Sequence, residues 1–322
     1  MAVTQEQADW FSDAFAKLVD NVDQAILGKR EVIRLVVMAL LSDGHVLLED
    51  VPGTGKTVLA KALANTLDGS NSRIQFTPDL LPSDVTGVTI YDQGKGIFEF
   101  HKGPIFASVV LADEINRASP KTQSALLEVM EEARVTVDGV SHDVGRPFMV
   151  IATQNPVEQA GTYSLPEAQL DRFLIKTSLG YPDHNTAVAL LLDSSNRARA
   201  SRVSPIIAPG SVTAMAQLAS EVFVDASVLA YLNHIVTATR THKDTTLGVS
   251  MRGALALARA VKTWAIANGR TYATPDDVRE LAVPVLAHRI MVDPESDFGG
   301  VTAEDIVSRV LVDVEPPAYR AA

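Results

Sequence analysis

His45-Val46-Leu47-Leu48-Glu49-Asp50-Val51-Pro52-Gly53-Thr54-Gly55-Lys56-Thr57-Val58-Leu59-Ala60 is the stretch on which the fold turns. The apolar run from His45 to Leu48 follows the turn signal Asp43-Gly44 and reads as a buried strand. Residues 50–57 then match the phosphate-binding pattern G-x-x-x-x-G-K-[ST] at every position but the first, where Asp50 replaces glycine. Lys56 to Leu67 has helical composition, with Ala60, Leu63, Ala64 and Leu67 on one face, and it stops near Asp68-Gly69. Strand, loop and helix thus follow in the order a phosphate cradle requires. Gly53 and Gly55 let backbone N–H groups converge on phosphates, and the helix start adds its dipole. Lys56 neutralises β/γ charge and Thr57 offers its hydroxyl to Mg2+. The nucleotide-contacting set is therefore Asp50, Val51, Pro52, Gly53, Thr54, Gly55, Lys56, Thr57 and Val58, with Gly28 upstream and ATP as the expected ligand.

Working outward, further apolar runs at Arg73 to Phe76, Ser108 to Ala112, Phe148 to Ala152 and Phe173 to Ser178 lack polar alternation and read as buried parallel strands. A layered α/β core ending near Leu179 accommodates them. A phosphate-loop enzyme needs a carboxylate at the end of a neighbouring strand to hold the water shell of Mg2+, and Val109 to Glu114 supplies one in Asp113. The adjacent Glu114 is placed to polarise the attacking water. Asn155, after the Phe148 to Ala152 run, carries an amide able to position water or the γ-phosphate. A guanidinium best stabilises the transferring phosphoryl, and both Arg172 and Arg252 are candidates.

Two period-2 segments interrupt the core as hairpins: Val88 to Phe100 around Gln93-Gly94-Lys95-Gly96, and Val135 to Val144 around Asp138-Gly139. Near the N-terminus, Trp10, Ala14, Phe15, Leu18 and Val22 recur at helical spacing and predict the packed face of a first helix. Beyond Tyr181-Pro182 the pattern reads as helices only, with starts at Thr274-Pro275-Asp276-Asp277 and Thr302-Ala303-Glu304-Asp305. The stretch Asn196 to Gly210 reads as a loop between two of those helices. The division is residues 1–180 for the nucleotide-binding core with its N-terminal helices, and 181–322 for an all-α domain.

Composition narrows the function classes. The 322 residues suffice for an α/β domain and a smaller second one. There is no cysteine, which excludes disulfides, thiolate nucleophiles and Cys-ligated zinc. No stretch approaches the roughly 18 apolar residues that span a bilayer, and the N-terminus lacks a secretory pattern. A cytoplasmic location without membrane insertion is expected. With 28 basic and 39 acidic side chains the net charge is −11, which opposes generic attraction to nucleic acid.

Taken together, Leu47 to Thr57, Gly103-Pro104-Ile105-Phe106, Leu111 to Ala118, Ala152-Thr153-Gln154-Asn155-Pro156 and Leu165 to Phe173 resemble the MoxR family of AAA+ ATPases. The blocks cover the core from about Gly28 to Pro182, and the helical remainder with Ser250-Met251-Arg252 is similar to the family's lid. The resemblance implies an AAA+ P-loop core, a parallel sheet flanked by helices, followed by an all-α lid domain. It makes Val88 to Phe100 the helix-2 insert and Val135 to Val144 the pre-sensor-1 hairpin. It also implies Asn155 as sensor 1, Arg252 as sensor 2, and Arg172 as an arginine finger serving a neighbouring subunit in a ring, commonly a hexamer. Chaperone-like remodelling, maturation or metal insertion follows, with a client protein and a von Willebrand factor A domain partner. Two alternatives stand beside it: a magnesium-chelatase-type motor subunit and a nucleotide-gated scaffold with little need for turnover. A DNA motor of the same clade fits poorly, because the inserts carry few basic residues, with Lys95, His101 and Lys102 in one and His142 and Arg146 around the other.

Overall fold

The chain was analysed as a computed structural model that describes residues 3–51, 53–155, 163–192, 200 and 203–317. It opens with α1 (Gln5–Asp23), started by a reciprocal cap in which Thr4 Oγ1 accepts from the Gln7 amide and Gln7 Oε1 accepts from the Thr4 amide. Ala8, Phe11, Phe15, Leu18 and Val22 form its buried face. Trp10, expected on that face, is 50% exposed. Successive helical residues are about 100° apart, so placing Phe11 inward turns its neighbour out. α2 (Arg30–Leu41) follows and leads into β1 (Val46–Glu49).

From β1 the chain passes through the phosphate loop into α3 (Lys56–Thr66), then β2 (Asn71–Gln75) and α4 (Pro82–Thr86). The hairpin of β3 (Gly87–Asp92) and β4 (Ile97–Lys102) comes next, paired from Gly87 with Lys102 to Asp92 with Ile97. After β5 (Val109–Asp113) and α5 (Pro120–Glu132), a second hairpin joins β6 (Arg134–Val137) to β7 (Val140–Asp143). Its turn residues Asp138 and Gly139 both have positive φ, 50° and 78°, as a two-residue turn of the primed type requires. β8 (Met149–Gln154), α6 (Glu167–Leu170) and β9 (Ile175–Thr177) complete this part.

The five principal strands form one parallel sheet in the order β2-β5-β8-β1-β9. β5 is buried throughout and β8 nearly so, which is why their sequences are continuous apolar runs. β2 departs from expectation. It begins at Asn71, lies at the sheet edge, and exposes Asn71, Arg73 and Gln75 while burying Ile74. An edge strand meets solvent on one side, so polar alternation there is stable.

The remainder contains α7 (His184–Leu192), α8 (Pro209–Ser220), α9 (Ala226–Thr241), β10 (Thr245–Leu247), α10 (Met251–Ala267), α11 (Pro275–Leu286), β11 (Met291–Val292), α12 (Pro294–Phe298) and α13 (Ala303–Asp313). It is not helices only: β10 and β11 pair antiparallel, Thr245 with Val292 and Leu247 with Met291. Strands of two or three residues are too short to carry a period, so the reading of helices alone is corrected here. Of the expected loop at 196–210, residues 196–199 and 201–202 lie outside the described residues, and the last two, Pro209 and Gly210, already belong to α8.

One apolar cluster fills the side of the sheet facing α1, α2 and α3 and runs on into α9, α10, α11 and α13. Trp264 of α10 meets Phe15 of α1 edge to face at 6.4 Å, and the Arg34 guanidinium lies 4.7 Å from the Trp264 ring. A second cluster on the other side of the sheet packs β5 and β8 against α5 and the β6 hairpin.

Candidate nucleotide site

The carboxyl ends of β1, β5 and β8 lie side by side, with Glu49 beside Gln154, and β2 places Gln75 beside Asp113. Ligands of open parallel sheets bind at this edge. A cleft of about 390 Å³ opens there, lined by Asp50, Gly53, Gly55, Lys56, Thr57, Val58, Arg73, Gln75, Asp113, Glu114 and Asn155. Four separate stretches of chain thus meet in one place, among them the phosphate loop and the two carboxylates read from the sequence.

The loop is shaped for an anion. Gly53 and Gly55 have φ of +88° and +101°, conformations costly for any residue with a Cβ. A Cβ at Gly53 would meet nothing within 4 Å, so conformation, not crowding, selects glycine there. Gly55 is the N-cap of α3, and no side chain caps that helix start, leaving its first amides to face the cleft. Lys56 Nζ donates to the Asp50 carbonyl at 3.1 Å, folding its charge over the loop. Val51 and Thr54 do not line the cleft; the Thr54 hydroxyl donates to the Val51 carbonyl at 3.4 Å and braces the turn. Pro52 lies outside the described residues.

Asp50 needs a different reading from the rest of the loop. Its carboxylate is turned away from phosphate chemistry: Oδ1 accepts from Ser178 Oγ at 2.9 Å and the Gly180 amide at 2.8 Å, and Oδ2 from the Leu179 amide at 2.7 Å. The residue is 3% exposed. Where the general pattern has glycine, this chain uses a buried carboxylate to fasten the phosphate loop to the segment leaving β9.

Gly28 is not brought to the cleft. A Cβ there would sit 2.8 Å from Thr186 Oγ1 of α7, although Ile26, two residues earlier, comes within 3.8 Å of a Cβ built on Gly55. The turn at 26–28 therefore borders the loop while Gly28 itself packs on α7.

At the end of β5 the two carboxylates are held by different partners. The hydroxyl of Thr153, buried on β8, donates to Asp113 Oδ1 at 2.6 Å and accepts from the Glu114 amide at 2.9 Å. Arg73 donates to Asp113 Oδ2 at 2.6 Å. Glu114 adopts the left-handed conformation, φ 57°, which ends the strand at once and turns the next residues into a short 3-10 helix, Ile115–Arg117. Its Oε2 accepts from Gln75 Nε2 at 3.1 Å and Arg117 at 3.0 Å. No cluster of three or more His, Asp or Glu side chains suited to a metal occurs among the described residues. A cation here would be held by Thr57 and Asp113 with the ligand and water supplying the remaining oxygens, the usual habit of Mg2+.

Neither arginine candidate lines the cleft. Arg172 donates to the Leu127 carbonyl and pairs with Glu131 Oε2 at 2.9 Å, and Arg252 pairs with Glu131 Oε1 at 3.1 Å. The structure thus gathers these two residues, 80 positions apart by 252 − 172, on one carboxylate of α5.

Arg73, Gln75, Thr153 and Glu131 are participants the sequence reading missed. Thr153 had a signal, a hydroxyl inside an otherwise apolar strand, and Arg73 and Gln75 share a strand face by their spacing of two. Glu131 had none, being one acid in Glu131-Glu132 on a helix.

Comparison with known proteins extends the picture. Residues 45–175 match the ATPase family associated with various cellular activities (AAA), and residues 237–310 match the AAA lid domain. The chain is 48% identical over 306 residues to the uncharacterised protein YeaC of Bacillus subtilis, covering 95% of this chain and 96% of that one. It is 37% identical over 314 residues to Chaperone MoxR1 of Mycobacterium tuberculosis, covering 95% and 83%. A solved structure of a candidate ATPase from Cytophaga hutchinsonii superposes with a TM-score of 0.91 at 38% identity, covering 97% of this chain and 98% of that one.

Proposed function

This chain belongs to the MoxR family of AAA+ ATPases, and from that premise we propose that it hydrolyses ATP in the cleft and uses the cycle to remodel a client protein. The observation that carries the reading is the convergence of Lys56, Thr57, Asp113, Glu114 and Asn155 on one cleft. Lys56 leaves the Asp50 carbonyl for the β/γ oxygens, and the uncapped start of α3 receives the same phosphates. Thr57 and Asp113 are the residues that would hold Mg2+, which when bound would supply charge neutralisation to the phosphates. Glu114 takes the proton of the attacking water, its carboxylate aimed by Gln75 and Arg117. Thr153 keeps the two carboxylates in fixed relation, and Asn155 orients the water or the γ-phosphate. Ile26, beside Gly55, is assigned to the nucleotide base.

Arg172 and Arg252 point to a site shared between copies. They sit on Glu131 and not in the cleft of their own chain, so Arg172 serves a neighbouring subunit's ATP within a ring, a hexamer on this reading. The client-facing element is the β3–β4 hairpin, where Tyr91, Ile97 and Phe98 are 50%, 51% and 74% exposed and the Tyr91 and Phe98 rings are 5.1 Å apart. Exposed apolar side chains gathered in this way mark a protein contact. A von Willebrand factor A domain partner completes the assembly, in the cytoplasm, with nucleic acid disfavoured by the net charge of −11.

The test is ATP turnover by the purified assembly, with and without Mg2+, for wild type, Glu114→Gln and Arg172→Ala. Turnover that requires both side chains supports the reading. A rate indifferent to Glu114 refutes it.

A further inference from the structure

The two candidate arginines come from different elements, Arg172 from the turn before β9 and Arg252 from the first turn of α10. Something must hold those turns in register. Asp171, next to Arg172, supplies half of the connection: Ser250, the N-cap of α10, donates its hydroxyl to Asp171 Oδ2 at 2.8 Å. Arg289, which follows α11, supplies the rest. Its Nε donates to Asp171 Oδ1 at 2.6 Å, and its two terminal nitrogens reach the carbonyls of Asp171 at 3.2 Å, Phe173 at 2.6 Å and Leu174 at 3.3 Å. A further contact goes to the Val285 carbonyl of α11. The planar guanidinium therefore clasps the backbone on both sides of Arg172.

The surroundings are built around this side chain. Arg289 is 5% exposed. Gly253, directly after Arg252, lies against it: a Cβ at 253 would come within 2.7 Å of Arg289 Cδ and 2.6 Å of Val249 Cγ1. Glycine at that position leaves the passage through which Arg289 crosses from the lid to the core. With both turns fixed to Asp171, the Arg172 and Arg252 side chains arrive together on the two oxygens of Glu131.

We propose that Arg289 is a positioning residue for ATP hydrolysis, setting Arg172 and Arg252 as one unit for presentation to the neighbouring subunit's nucleotide. The proposal rests on the shared-site reading above. Arg289 touches no part of its own chain's cleft, so its loss leaves nucleotide binding intact and impairs the subunit next door.

Subunit mixing separates this from a structural tie. Arg289→Lys keeps the charge and loses the fork, and Gly253→Ala displaces Arg289 without altering it. Each variant alone binds an ATP analogue within about twofold of wild type, while kcat falls on the order of tenfold to a hundredfold at nearly constant KM, the scale of a small misplacement of transition-state groups. Each is then mixed with Glu114→Gln subunits, which are themselves inactive but carry intact arginines. Mixed assemblies recover turnover several-fold above either parent, as Arg172→Ala mixed with Glu114→Gln does, because sound arginines now face sound water-activating sites. Should Arg289→Lys fail to fold by circular dichroism, Gly253→Ala carries the test. Rescue of Arg172→Ala without rescue of the Arg289 and Gly253 variants overturns the positioning role. Rescue of none overturns the shared site and the proposal with it, and wild-type kcat in both variants overturns the proposal alone.

Discussion

Restoring the general phosphate-loop consensus in this chain, by Asp50→Gly, is expected to destabilise it while leaving ATP binding within a few-fold of wild type. The carboxylate accepts from three donors at 2.7 to 2.9 Å. Hydrogen bonds to a charged group contribute about 1.5–3 kcal/mol each, so the naive sum is about 4.5–9 kcal/mol. Two corrections reduce it. The bonds from Ser178 and Gly180 are only part-buried, so those donors regain water, and removal of the charge relieves its own desolvation. The Leu179 amide is buried and stays unpaired, at about 1–3 kcal/mol, and glycine adds about 0.5–1 kcal/mol of unfolded-state entropy. The expected loss is about 3 kcal/mol, or a fall in melting temperature of roughly 4–5 °C for a chain of this size. Thermal melts followed by circular dichroism, with calorimetric titration of an ATP analogue below the transition, measure both quantities. A melting temperature within about 1 °C of wild type, together with a tenfold loss of ATP affinity, would refute the reasoning and return Asp50 to the nucleotide.

Three further outcomes follow from the site and the core. Glu114→Gln should lower turnover on the order of 10²–10⁴-fold with ATP binding retained, and a rate near wild type removes it as general base. Lys56→Ala should abolish ATP binding in the same titration, since no other lysine lines the cleft among the described residues; retained affinity contradicts the assignment. The pH dependence of stability should carry the mark of His45, pushed down to about 4 by burial, against an unfolded value near 6.5. Its Nδ1 accepts from the Val150 amide at 3.0 Å and its Nε2 faces the Met130 carbonyl at 2.9 Å, so a second ring proton would point at a donor. The native state therefore binds fewer protons than the unfolded one between those values. Stability is full above about pH 6.5 and falls by roughly 3 kcal/mol by pH 4. His45→Gln should remove that part of the slope in pH-dependent melts, leaving the part due to His288, which burial shifts in the same direction. An unchanged slope excludes His45 as its source.

The order of strand, loop and helix at residues 45–67 was decided by local chemistry, because positive-φ glycines, a lysine and a hydroxyl are each demanded where they stand. The same holds for the strands β1, β5, β8 and β9 and for both hairpins, whose periods and turn residues are local signals, whereas the edge strand β2 reads as a buried run and is not one. Asp113 and Glu114 were legible for that reason, ending a run buried on both faces. What the residues could not settle by themselves is which side chains meet across distance. Asp50 looked like a worn consensus position until its three donors at 178–180 showed a fastening between the loop and the segment leaving β9. Trp10 and Phe11 are adjacent and comparably apolar, and only the packing of α1 on Trp264 selects which one is buried. Glu131 and Arg289 carry no pattern at all. Their roles arise because parallel strands and the returning helices of the lid bring 131, 171, 252 and 289 together, and long-range closure of that kind leaves no period or spacing in the chain to read.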